Sequence, residues 1–294
     1  MKIVLGPASK ELGEKIAELT GIEKVPVAHK TFPDGETYIR LESPIQDDHV
    51  VIVQTTSPPQ DSRLIQLAFM ADAAKRNGAS KVTAVVPYLA YARQDKIFLK
   101  GETISIETVA HMLSAAGVDA LITVNVHSAN ALTKFPFPAK TLSAIPLLAE
   151  HFTRRGFTKA FALAPDKGAM HIAEEAKKIL GGECGHLEKQ RDRYTGQVNV
   201  AKKAFNVKGA TVIIFDDIIS TGGTIVGAAK ILKELGAKRV FAACVHPLLI
   251  GDAEKRILEA GVEEIVGTDS VTSHVSKVSL APLISKELKA LQSG

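Results

Sequence analysis

Short runs of β-branched and aliphatic residues alternate with helical stripes along most of the chain. This alternation limits the possible folds more than any other feature. Residues 50–54 read as a buried strand, and 61–76 follow with apolar residues at Leu64, Ile65, Leu67, Ala68, Met70 and Ala71, the spacing of one helical face. Gly78 closes that helix, and 82–86 form the next strand. Thr103 is placed to cap a helix running to about Ala116, Gly117 ends it, and 121–126 return to a strand. The pattern resumes with a strand at 160–164, a helix over 168–180, a strand at 211–215, a helix over 222–235 and a strand at 240–245. Successive strands joined through helices pair in parallel, so the expected class is α/β, with mainly parallel sheets flanked by helices.

The chain also repeats itself. Asn77-Gly78-Ala79-Ser80-Lys81-Val82 matches Leu235-Gly236-Ala237-Lys238-Arg239-Val240, with the glycines 158 positions apart. Ala116-Gly117-Val118-Asp119 matches Ala260-Gly261-Val262-Glu263, with the glycines 144 apart. The offset falls by 14 between these landmarks, so the first half carries an insertion near 87–102. Two tandem domains of one kind are expected, 1–144 and 145–294, joined near 143–146, with a terminal helix over 285–291.

Composition narrows the function. Hydrophobic residues make up 46% and charged residues 23% of 294, the mix of a globular chain with room for two cores. The net charge of +4 is spread along the chain, so no nucleic-acid partner is expected, while local basic groups remain available for a phosphorylated small molecule. No apolar run approaches the roughly 18 residues of a membrane span, and no membrane partner is expected. Residues 1–6 read as a first strand and not as a signal peptide. Cys184 and Cys244 have no metal or redox spacing, which favours a reducing cytoplasm.

The most specific string follows the strand at 211–215: Asp216-Asp217-Ile218-Ile219-Ser220-Thr221-Gly222-Gly223-Thr224, then a helix. Strand ends of open α/β sheets face ligands. Two glycines let the backbone approach a ligand closely, the helix N-terminus offers N–H groups and a positive dipole end to a phosphate, and three hydroxyls add donors. The adjacent carboxylates repel a phosphate and suit sugar hydroxyls or a divalent cation instead. No Gly-Lys-Ser/Thr is present, so this is not a Walker loop.

This string resembles the phosphoribosyl-diphosphate-binding loop of phosphoribosyltransferases and of the ribose-phosphate diphosphokinase (phosphoribosyl pyrophosphate synthetase) family. The resemblance implies two tandem phosphoribosyltransferase-like domains. It assigns the 5-phosphate of ribose 5-phosphate to Ser220, Thr221, Gly222, Gly223 and Thr224, and the ribose to Asp216 with Asp217 beside it. Further motifs separate the synthetases from the transferases. Phe32-Pro33-Asp34-Gly35-Glu36 is a turn sequence with a ring that can stack and carboxylates that can accept. In the family a matching segment reaches the ATP of a neighbouring subunit, which implicates Phe32, Asp34, Gly35 and Glu36. Tyr91-Ala92-Arg93-Gln94-Asp95 lies in the inferred insertion and is similar to the family's ATP-binding stretch, which implicates Arg93, Gln94 and Asp95.

The family's metal-linked histidine corresponds to His127, although Asn125-Val126-His127 departs from the commoner Asp-x-His pattern. Asp166, in Ala164-Pro165-Asp166-Lys167-Gly168, corresponds to a second Mg²⁺-associated group. The charged run at 188–193 reads as a loop, and Lys189 and Arg191 fit the family's catalytic Lys-x-Arg pair, with Arg191 also at the ribose 5-phosphate. Ser220 stands where many members carry a further Asp, as in some shorter archaeal forms, and 135–143 also differ, which puts regulation by ADP and phosphate in doubt. The implied reaction joins the diphosphoryl group of ATP to ribose 5-phosphate with Mg²⁺ as cofactor, in a cytoplasmic homo-oligomer, dimer or higher. A phosphoribosyltransferase lacking need of the Arg93 insertion, or a non-catalytic synthetase-associated subunit, is the alternative.

Overall fold

The computed structural model describes residues 1–191, 198–201 and 205–293, with the backbone alone for 188–191, 198–201 and Ser293. Its contacts divide into two compact units. The first comprises Met1–Ser143, Ser270–Thr272 and the C-terminal segment from Ser279; the second comprises Ala144–Asp269 and Ser273–Val278.

In the first unit the elements are β1 (Lys2–Leu5), α1 (Lys10–Thr20), β2 (Glu23–Val25), β3 (Val27–Thr31), β4 (Thr37–Leu41), β5 (His49–Val53), α2 (Gln60–Arg76), β6 (Lys81–Val86), α3 (Ser105–Ala115), β7 (Ala120–Val124), α4 (Ala129–Leu132) and β8 (Ala139–Leu142). The second holds α5 (Ile145–Arg154), β9 (Phe161–Ala164), α6 (Met170–Leu180), β10 (Cys184–His186), β11 (Glu188–Arg191), β12 (Val198–Ala201), β13 (Thr211–Ile219), α7 (Gly223–Glu234), β14 (Arg239–Pro247), α8 (Ala253–Glu259), β15 (Ile265–Thr268) and β16 (Ser276–Val278). Last comes α9 (Ala281–Ser293), which packs along α1.

The two main sheets have the same plan. Their strand orders are β2-β1-β5-β6-β7-β8 and β10-β9-β13-β14-β15-β16, parallel throughout. Helices cover both faces, so the central strands are apolar without alternation: Val50 to Val53 and Val82 to Val86 are all buried, Thr83 among them. The stripe on α2 buries Leu64, Leu67, Ala68, Ala71 and Ala74, while Ile65, expected on that face, is 39% exposed. None of the helices among the described residues is long and apolar enough to cross a membrane.

The internal repeat is visible atom by atom. Gly78 and Gly236 end their helices at φ +87° and +81°, and Gly117 and Gly261 at +98° and +96°. A Cβ on Gly117 would lie 2.5 Å from Lys75 Cγ, and one on Gly261 would lie 2.8 Å from Lys233 Cε; the positive φ disfavours a side chain at both, and at Gly117 the lysine stem adds to it. The N–H of Asp119 donates to Val82 O, and that of Glu263 to Val240 O, each at 2.8 Å. The units differ where the offset predicts: β6 reaches α3 through 87–104, and β14 reaches α8 through 248–252.

Four further expectations change. The strand begun at Thr211 does not stop at Phe215 but continues through Asp216 and Asp217 to Ile219, because β14 is equally long and pairs with it there, Asp216 opposite Cys244 and Ile219 opposite Pro247. Helix α3 starts at Ser105 with Ile104 before it and no side-chain cap, so Thr103 does not cap it. The charged run at 188–193 begins as strand β11, antiparallel to β12, and its residues Asp192 and Arg193 lie outside the described residues. The division at 144/145 carries the second domain to residue 294, whereas the packing of α9 on α1 groups that helix with the first unit.

Candidate active site

In the second sheet the chain goes from β9 to β10 on one side and later to β13 on the other. The crevice outside the carboxyl ends of β9 and β13 is therefore the topological switch point, where open α/β sheets bind ligands. Asp166 follows β9, and Asp216 and Asp217 lie on the last part of β13. Burial pushes the carboxyl of Asp216 up to about 8, and the neighbouring charge of Asp217, then that of Asp166, add to the shift. The backbone N–H of Asp217 donates to Asp216 Oδ1 at 3.0 Å, and that of Ile218 to Asp217 Oδ1 at 2.8 Å. Three carboxyl groups thus lie in mutual electrostatic reach in this crevice. Cys244, across from Asp216, is fully buried, and burial followed by the charge of Asp216 raises its thiol out of reactive range.

Beyond β13 the chain turns into α7. Gly222 precedes the helix at φ +77°, and a Cβ there would meet Ile257 Cδ1 at 2.8 Å, so glycine is required twice over. The turn is held from the α8 side: Arg256 Nη2 donates to Thr221 O at 2.5 Å, and the N–H of Ile250 to Ser220 O at 3.0 Å. No side chain caps α7, and the space beside Gly223 is open. The first-turn amides, with Thr221 and Thr224 exposed and Ser220 half-buried, form an anion cradle at the positive end of the helix. Asp166 Oδ1 accepts from the N–H of Ala169 at 3.3 Å ahead of α6. Lys189 and Arg191 lie on β11, opposite Val200 and Val198.

In the first unit, Phe32, Asp34, Gly35 and Glu36 form the tip of the β3–β4 hairpin. The N–H of Phe32 donates to Glu36 O at 2.8 Å, the N–H of Glu36 to Asp34 Oδ1 at 3.1 Å, and Gly35 takes φ +96°. Phe32 is 38% exposed, edge-on to Tyr38, with Lys30 Nζ 4.4 Å from its ring centroid. The insertion starts with Tyr91 at φ +65°, its hydroxyl donating to Asp61. Arg93 is exposed, with no hydrogen bond or ion pair to a described residue. Gln94 Oε1 accepts from Ser105 Oγ at 2.5 Å.

Asp95 is only 7% exposed. Its Oδ2 accepts from Ser128 Oγ at 2.6 Å and Asn130 Nδ2 at 3.1 Å, which hold its carboxyl below the usual range, the Ser128 bond contributing most. It thus ties the insertion to the segment after β7 that carries His127, a link the sequence reading missed. His127 itself is exposed and follows Asn125, whose φ of +38° turns the chain at the strand end. Among the described residues no three His, Cys, Asp or Glu side chains converge as a metal cage. The oxygen-rich set at Asp166, Asp216 and Asp217 still suits a hard cation that takes most of its ligands from water and substrate phosphates.

Known proteins resemble the chain along nearly its whole length. Residues 1–117 match the family model of the N-terminal domain of ribose phosphate pyrophosphokinase, and residues 142–277 match that of the phosphoribosyl transferase domain. The ribose-phosphate pyrophosphokinase of Methanothermobacter thermautotrophicus is 44% identical over 283 residues, 96% of this chain and 98% of its own. That of Saccharolobus solfataricus is 43% identical over 272 residues, 92% and 93% of the two chains. The crystal structure of phosphoribosylpyrophosphate synthetase from Mycobacterium smegmatis matches with a TM-score of 0.88 at 30% identity, covering 100% of this chain and 99% of that one. Two family models in tandem and relatives of this identity along nearly the whole length show that the chain belongs to the ribose-phosphate pyrophosphokinase family.

Proposed function

We propose that the protein transfers the diphosphoryl group of ATP to the anomeric hydroxyl of ribose 5-phosphate, yielding 5-phosphoribosyl 1-diphosphate and AMP for nucleotide biosynthesis. The observation that carries this reading is the junction of β13 and α7: an anion cradle directly after a pair of carboxylates at a topological switch point. The cradle at Ser220, Thr221, Gly222, Gly223 and Thr224 takes the 5-phosphate, and Asp216 and Asp217 accept from the ribose hydroxyls.

The O1 oxygen attacks the β-phosphorus in line. The bond from that phosphorus to the α,β-bridging oxygen breaks, AMP leaves with the oxygen, and the hydroxyl proton is released. Lys189 and Arg191 offset charge gathering on the transferred group, and Arg191 also orients the sugar phosphate. Positioning and fixed charge supply most of the acceleration, as in other phosphoryl transfers. Mg²⁺ is the proposed cofactor; when bound it neutralises the polyphosphate oxygens, with His127 and Asp166 as its protein partners, directly or through water.

Arg93 and Gln94 bind the ATP, and Asp95 serves that site by fixing the segment around His127. Phe32, Asp34, Gly35 and Glu36 contact the ATP of a neighbouring subunit, so the working protein is a homo-oligomer, at least a dimer. The proposed location is the cytoplasm, consistent with two free cysteines and no disulfide. Incubation with ribose 5-phosphate, ATP and Mg²⁺ tests the reading: AMP and the diphosphorylated sugar appear in equal amounts. Formation of ADP, or no AMP at all, refutes it.

A further inference from the structure

Three hydrogen bonds run in series from the loop after β1 to the β3–β4 hairpin. The N–H of Ala8 donates to Gln54 Oε1 at 2.9 Å, Gln54 Nε2 donates to Gln66 Oε1 at 3.1 Å, and Gln66 Nε2 meets His29 Nε2 at 3.2 Å. Gln54 is 0% and Gln66 8% exposed, so water cannot take over for either amide without cost.

The direction of the series follows from its first member. A backbone N–H only donates, so it faces the oxygen of Gln54. The Gln54 nitrogen, also only a donor, is left facing Gln66, which must present its oxygen. The Gln66 nitrogen then points to His29, and Nε2 of His29 must accept. Turning Gln66 over does not help, because its NH₂ would then oppose the NH₂ of Gln54. An accepting Nε2 belongs to a neutral imidazole with its proton on Nδ1; an imidazolium would set N–H against N–H.

His29 is exposed and sits on β3 opposite Ile39, on the hairpin face from which Val27, Ile39 and Leu41, partly buried, pack on the core of the first unit. Among the described residues, the Gln66–His29 bond is the one hydrogen bond that joins this hairpin to α2. Past it the hairpin runs on to its tip, where Gly35 and Glu36 line a cleft of about 500 Å³ with Asp61 and Gln66. The charged groups around His29 are Lys10 and Glu14 of α1, Lys24 of β2 and Glu42 after β4, which line a cleft of about 490 Å³ with it, and Asp61 of α2 and Glu36 on the Gln66 side.

We infer that His29 is a positioning residue: through Gln66 and Gln54 it sets how the hairpin presents Phe32, Asp34 and Glu36. This rests on the reading of the tip as an ATP contact. His29→Leu raises the KM for ATP about fivefold, the worth of one net hydrogen bond, and leaves the KM for ribose 5-phosphate unchanged. His29→Gln offers an oxygen that accepts, so it restores the KM for ATP to within about twofold.

Hydrogen exchange of the 27–41 amides in the free protein, corrected for intrinsic rates, is followed in parallel because it needs no activity. It quickens in His29→Leu. Unchanged exchange in His29→Leu overturns the latch, whatever the kinetics do. Faster exchange with an unchanged KM for ATP overturns the positioning role through the tip assignment beneath it. Matching shifts in both support the inference.

Discussion

The two units share a backbone plan and treat the same place in opposite ways. Val53 pairs with Val85, and Phe215 with Ala243, at matching positions of the repeat, so Gln54 stands in the first unit where Asp216 stands in the second. Around Gln54 the switch point is filled with paired neutral groups. The N–H of Thr55 donates to Ser9 Oγ at 2.8 Å, Thr55 Oγ1 to Ser270 O at 2.7 Å and Thr56 Oγ1 to Tyr88 O at 2.7 Å, all buried. At Asp216 the same strand end carries adjacent carboxylates beside an uncapped helix. The comparison teaches that the fold provides a crevice, and that a few side chains decide whether it closes as structure or opens as a site. In the first unit, the segments proposed for ATP instead lie on the hairpin and the enlarged β6–α3 connection.

The strongest way to sharpen this contrast is to remove charge from the second unit without touching its crevice. Lys189→Ala is expected to lower turnover on the order of a hundredfold while leaving ribose 5-phosphate affinity nearly intact, since only charge aimed at the transition state is lost. Turnover at the wild-type level breaks the catalytic assignment. The converse substitution puts a carboxylate into the closed crevice. Gln54→Glu keeps the shape but buries a charge and leaves Gln66 Oε1 without its donor, and should cost about 3 kcal/mol in denaturant unfolding. A loss below about 0.5 kcal/mol, the range of an ordinary surface change, means that neutrality there is unimportant.

Glycine substitutions at the cradle should separate adjacent positions. Gly222→Ala is expected to cost at least about 1 kcal/mol, because it combines left-handed backbone with a contact on Ile257. Gly223→Ala, facing open space, should leave stability nearly unchanged. Equal losses from thermal unfolding contradict the described turn.

The pH dependence of ligand-free stability is the mildest probe. The folded state holds on to the Asp216 proton up to about 8, above the ordinary carboxyl value of 3.8. Stability from this group is therefore complete below the unfolded value and is lost as pH rises through about 8. Asp216→Asn should flatten that decline; an unaltered curve means that Asp216 ionises normally.

Much of this plan was legible in the chain. Helical and strand periodicities, with glycines at positive φ, mark Gly78, Gly117, Gly236 and Gly261 and so expose the repeat and its insertion. The cradle was legible because glycine and hydroxyl residues have few other reasons to follow an acidic pair. What escaped notice depends on partners distant in sequence. Asp216 and Asp217 look like the end of a strand until β14 is seen to extend beside them. The resemblance marks Asp95 as an ATP-site residue, but nothing local shows that its partner is Ser128, 33 positions away. The Gln54–Gln66–His29 series joins three elements and has no local pattern at all.

The most direct test of the contrast between the two crevices is hydrogen exchange with and without ribose 5-phosphate. The account predicts protection of the amides of Gly223, Thr224 and Ile225 at the start of α7, with no change at Gln54 to Ser57 or the start of α2. Protection at the β5–α2 junction, with the β13–α7 junction unaffected, would contradict it.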